Sequence, residues 1–125
     1  MTEIVLTWRR FEKLTDARDA FTSVPCIYVQ TDTLGKPLRV GKASKGLKVR
    51  YRGGTGYAMD AAMHNSGNLI FVAEVADGLC DEVEQQLIWR ERQILQYNKQ
   101  GKVKPPSKHV EILHEGDHPR FSNQY

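Results

Sequence analysis

Cysteine is scarce in this chain: Cys26 and Cys80 are the only two in 125 residues. They form no C-x-x-C pair and have no histidine close enough in sequence to complete a zinc site, so buried free thiols are the simpler reading. Long apolar runs are missing as well. Nothing approaches the stretch of about 18 apolar residues that a membrane span needs. Met1 to Trp8 leads into Arg9 and Arg10 rather than into the apolar core of a signal peptide. The expectation is a cytoplasmic protein with no membrane partner. There is no internal repeat and no low-complexity segment, and the length suits one core but not two independent domains. His109, His114 and His118 fall in a segment without helical pattern, which argues against a histidine metal site. His64 reads as a surface residue, and Trp8 and Trp89 as packing residues.

Acidic residues are nearly absent from one stretch. Residues 26–57 carry seven Lys or Arg against the single acid Asp32, whereas residues 58–97 carry seven acids against two Arg. The overall formal charge of +3 conceals this division. A block so one-sided presents a local positive potential that attracts phosphates. A solvated lysine-rich hairpin is the plainer alternative.

Along the chain, Trp8, Phe11, Leu14, Ala17, Ala20 and Phe21 recur at three- and four-residue intervals, predicting an amphipathic helix from Thr7 to Phe21. Cys26 to Val29, a turn-rich connector from Thr31 to Pro37, and Leu38 to Val40 read as a β-hairpin. Ala43 to Arg52 suits a short basic helix, the glycines at 53, 54 and 56 a loop, and Tyr57 to Met63 a further modest helix. Asn68 to Val75 is the most apolar run and is predicted as a strand. Asp81 to Asn98 is the longest helix candidate, with Asp81, Glu82 and Glu84 favouring its N-terminal end. Val110 to Leu113 suits an edge strand, and the tail from His114 is expected to be loosely held.

The resulting expectation is an α+β domain with a central three-stranded mixed or antiparallel sheet flanked by helices. Residues 1–25 would be a helical extension packed on the domain, residues 26–98 the core and residues 99–125 a C-terminal extension. Many functions fit such a fold, and the decision falls to specific residues. Those are Cys26-Ile27-Tyr28, Arg39-Val40-Gly41-Lys42-Ala43, Leu47 with Arg50 three residues on, and a Glu-bearing helix followed by Tyr97-Asn98. This ordered set resembles the GIY-YIG nuclease family, over roughly residues 26 to 98. In that family two strands carry Gly-Ile-Tyr and Tyr-Ile-Gly triplets, followed by a Lys, an Arg on the next helix, a metal-binding Glu on a later helix and often an Asn. Cys26 stands where the first Gly would be, and Arg39 where the second Tyr would be.

The resemblance implies a divalent-metal-dependent DNA endonuclease with Tyr28, Lys42, Arg50 and Glu84 as catalytic residues, Glu84 holding Mg2+ or Mn2+. The residue chemistry is compatible. Hydrolysis of a phosphodiester needs an activated water, positive charge on the phosphoryl oxygens and a cation at the leaving oxygen. A mid-strand Tyr28 can line a cleft or sit half-buried in the core. Arg50 can hold two phosphate oxygens with its planar fork, and Arg39, Lys45, Lys48 and Arg52 offer supporting contacts, with Asn98 closing the acidic helix. Glu84 and Glu91 are seven residues apart and share one helix side with Leu87 and Ile94, so either is a candidate oxygen ligand. DNA is the expected partner, and a partner protein or a second copy of the chain could supply specificity. Two other readings stay open: a nucleic-acid-binding or regulatory domain that lost catalysis with the second Tyr, and a protein-interaction module with an incidental basic hairpin.

Overall fold

The computed structural model describes residues 2–47, 68–95, 98, 105–107 and 110–122. The elements within them are strand β1 (Thr2–Phe11), helix α1 (Leu14–Ala20), strands β2 (Cys26–Thr31), β3 (Pro37–Ala43) and β4 (Leu69–Glu74), helix α2 (Cys80–Arg90) and strand β5 (Val110–Gly116). A short 3-10 turn, Asp77–Leu79, leads into α2. The class is α+β, and the sheet has five strands in the order β3-β2-β4-β1-β5 rather than three. β2 lies antiparallel to both β3 and β4, β1 antiparallel to β4, and β5 parallel to β1.

Of the two further strands, β5 extends the edge strand expected at Val110 to Leu113, and β1 arises where the helical reading of the N-terminus fails. Ile4, Leu6 and Trp8 are buried while Val5, Thr7 and Arg9 are exposed, an alternation of two that belongs to a strand. The β-branched residues Thr2, Ile4, Val5 and Thr7 favour it further. The three-to-four spacing is real only from Leu14 onward, where Ala17 is buried and Phe21 closes the helix, its N–H donating to the Ala17 carbonyl at 3.0 Å. Residues 2–11 are therefore an inner strand of the sheet, not the start of a helix.

Two apolar layers cover the sheet. On one face Ala17, Phe21, Tyr28, Leu47, Ile70 and Val72 form a cluster under α1. On the other, Cys80, Val83, Leu87 and Ile88 of α2 pack on Trp8, Ile27, Val29, Val40, Phe71 and Ala73. Each such fully buried aliphatic side chain stabilises the fold by about 1.5–3 kcal/mol. Cys26 and Cys80 are both buried free thiols, and burial foremost, with Cys80 and Glu74 nearby, pushes Cys26 up to about 12.

The helix expected to run to Asn98 stops at Arg90 and gives way to turns over residues 91–94. The residue that caps it, Glu91, is fully buried, and its carboxylate accepts hydrogen bonds from the Ser122 N–H at 2.6 Å and the Ser122 hydroxyl at 3.0 Å. The segment after β5 is held rather than loose. Asp117 N–H donates to the Trp8 carbonyl at 3.2 Å, Arg120 N–H to the Gly35 carbonyl at 2.8 Å, and the Phe121 ring stacks on His114 at 4.5 Å between centroids. No helix among the described residues is long and apolar enough to cross a membrane.

Candidate active site

The candidate residues that the structure describes fall on both sides of β3, the edge strand of the sheet, with Tyr28 and Arg39 on the α1 side and Lys42 and α2, which carries Glu84, on the other. In the β2–β3 ladder Tyr28 stands opposite Gly41, Gln30 opposite Arg39 and Ile27 opposite Lys42. Side chains alternate along a strand, so Tyr28, Arg39 and the Gly41 position share the α1 face, and Lys42 points to the α2 face. Tyr28 is fully buried. Its ring nevertheless crosses from β2 to β3, because a Cβ at Gly41 would overlap Tyr28 Cζ and Oη. The missing side chain at Gly41 thus lets a phenol rooted in the central strand deliver its hydroxyl over the edge strand.

On the opposite face, the Lys42 ammonium pairs with Asp81 in the first turn of α2. The side chains are 40% and 65% exposed, so the pair is screened and contributes on the order of 0–1 kcal/mol. An incoming phosphate can therefore take Lys42 from Asp81 at little cost. Glu84, half-buried, lies three residues beyond Asp81 on the same side of the helix. Among the described residues no three or more His, Cys, Asp or Glu side chains converge on one point. A magnesium-type ion commonly takes only one or two protein carboxylates and fills its shell with water and substrate phosphate, so a lone helix carboxylate is a chemically sufficient anchor. Glu91, the rival ligand in the sequence, is engaged with Ser122 inside the protein.

Asn98 completes the edge. Its Oδ1 accepts from the Val40 N–H and its Nδ2 donates to the Val40 carbonyl, both at 2.8 Å. One side-chain amide thus imitates a neighbouring strand for the residue just before Gly41. Asn98 organises the strand that carries Gly41 and Lys42 rather than presenting its amide to a ligand. Lys45 is exposed in the turn directly after β3, and Arg39 is half-buried on the Tyr28 face. The basic helix expected from Ala43 does not begin there, since Ala43 ends β3 and residues 44–45 form a turn; Lys48, Arg50 and Arg52, with the rest of the expected helix and the glycine loop, lie outside the described residues. Leu47 is buried against the Tyr28 cluster.

The structure thus separates Tyr28 from Lys42 by the thickness of one strand and places Lys42 with Asp81 on the α2 side. Sequence reasoning missed the part played by Asp81, although an acid at the start of the helix following β4 was visible. It also missed Gly41 as a passage for Tyr28, for which a glycine inside a strand pattern was the available signal. No protein-family model, no curated protein and no solved structure matches this chain.

Proposed function

We propose that this protein is a divalent-metal-dependent endonuclease that hydrolyses DNA phosphodiester bonds, in the manner of the GIY-YIG family that its motifs resemble. The observation that carries the reading is the α2-facing side of edge strand β3, where Lys42 meets the acidic first turn of α2 that leads to Glu84. Strand order supports it too, since the two motif strands β2 and β3 are paired and β4 flanks β2.

In this reading Lys42 leaves Asp81 to neutralise a phosphoryl oxygen, and Arg50 and Arg39 add charge from the basic block. Glu84 would hold Mg2+ or Mn2+, and such an ion would supply Lewis-acid stabilisation of charge on the phosphoryl oxygens. Tyr28, sealed on the α1 face across the sheet from Lys42 and Glu84, would act by holding the edge strand through its contact over Gly41 rather than by touching the same phosphate. Lys45, Lys48 and Arg52 guide the backbone. Purified protein incubated with plasmid and branched DNA plus Mg2+ or Mn2+ tests this. Nicking is expected, lost in Glu84→Ala and kept in a folded Glu91→Gln. Absence of nicking by the wild type, or undiminished nicking by Glu84→Ala, rules the reading out.

One observation favours a second reading. Tyr28 is sealed from solvent, and Arg39 stands in place of a second phenol. A domain of this kind could bind nucleic acid through phosphate contacts without cutting it. Salt-sensitive DNA binding without cleavage and without detectable Mn2+ binding would select it.

A further inference from the structure

Leu34 is the most exposed large apolar side chain among the described residues, at 70%, and it stands at the tip of the β2–β3 hairpin. A single exposed leucine is ordinary on any surface. The rigidity of its support is not, because loop tips are usually the loosest parts of a fold. Asp32 Oδ1 accepts from both Leu34 N–H and Lys36 N–H at 2.9 Å. Asp32 N–H donates to the Lys36 carbonyl and Gly35 N–H to the Asp32 carbonyl, each at 3.1 Å. Gly35 takes a φ of +87°, which suits glycine, and Pro37 fixes the exit into β3. From outside the hairpin, Arg120 N–H clamps the Gly35 carbonyl at 2.8 Å. Lys36, two residues beyond Leu34, and Arg120, whose Cγ lies 3.6 Å from where a Cβ at Gly35 would stand, are both exposed, while the Asp32 carboxylate of the same turn is taken up by the loop's own N–H groups.

We infer that Leu34 is a wedge that inserts between base steps of a bound duplex, with Lys36 and Arg120 holding the phosphates beside it. The inference rests on the nucleic-acid reading above and adds a second contact to it. An apolar side chain on a stiff support, bordered by cations, matches the chemistry by which proteins unstack a base step and kink a duplex. A flexible tip would fold away instead of entering the stack. The tip stands roughly 20 Å from Lys42 along the β3 axis, which is about six base-pair steps of duplex. The distortion is therefore expected at a fixed offset from the phosphate held at Lys42, on one side only.

The test uses duplex DNA with a fluorescent adenine analogue placed in turn at successive positions, whose emission rises when its neighbour is unstacked. Full-length wild type should raise emission about two-fold or more at one position. Leu34→Ser should abolish that rise while shifting duplex affinity by no more than about five-fold, since the phosphate contacts remain. Leu34→Met, which keeps an apolar wedge, should retain it. Binding without any rise, or an equal rise with Leu34→Ser, overturns the wedge and leaves the proposed function standing. Failure of the wild type to bind DNA at low salt overturns both.

Discussion

At the residue scale, two side chains depend on what their neighbours lack. Tyr28 lies where Gly41 has no Cβ, and adding one methyl forces the ring or the strand to move. Gly41→Ala should destabilise the protein by about 1–3 kcal/mol, the usual cost of overpacking a filled core. Combining it with Tyr28→Leu should recover part of that loss, and urea unfolding of the two single variants and the double variant measures the coupling. His114 makes the second case. Its Nδ1 accepts the Trp8 indole N–H at 2.8 Å, which requires a neutral ring with the proton on Nε2. Burial first and His118 second lower its pKa from 6.5 to about 4. A histidine that resists protonation in the fold, but not when unfolded, contributes stability that is complete above about pH 6.5 and fades as pH falls toward 4. Unfolding free energies measured across that window should decline on acidification, and less so in His114→Gln. A flat profile for the wild type would contradict the assignment.

At the element scale, β3 is an edge strand whose outward backbone groups need partners, and Asn98 supplies them for Val40. Asn98→Ala should cost about 1–3 kcal/mol by leaving a donor and an acceptor unmatched. Hydrogen exchange at the Val40 amide should speed up more than at the Val29 amide inside the sheet. The same strand shows what could be read from sequence. The hairpin, β4 and the start of α2 were legible because each carries its own periodicity and its own turn chemistry, such as Asp32 and Gly35 between β2 and β3. The bounds of α2 were not, because Ile94 and Leu95 prolong the apolar pattern. What ends the helix is tertiary: Glu91 is drawn into bonds with Ser122, thirty-one residues later. β1 was misread because Trp8 and Phe11 fit the helical spacing of Leu14 and Ala17 while Ile4, Leu6 and Trp8 fit a strand. Only β4 and β5 as neighbours decide between the two. Of the candidate site, residue types and order were legible. The side of the sheet on which each side chain falls required the register, and the pairing of Lys42 with Asp81 required α2 in place.

At the scale of the whole molecule, residues 117–122 tie three distant elements together: β1 through Trp8, the hairpin turn through Gly35, and the end of α2 through Glu91. Glu91→Ala should release this strap, and limited trypsin digestion should then cut after Arg120 at a rate several-fold above wild type, with the cut located by mass spectrometry. The parallel pairing of β1 with β5 has a wider consequence, since Thr7 and Glu115, hydrogen-bonded across it at 3.3 Å, are 108 residues apart. A ribosome releases β1 well before the neighbour that shields its far side, by that same separation of 108 residues. Until then Ile4 and Leu6 lack Val110 and Ile112 beside them, and closure must overcome a large loop entropy. Slow acquisition of native structure, and a tendency of chains stopped before Val110 to associate through β1, follow from the sheet order itself.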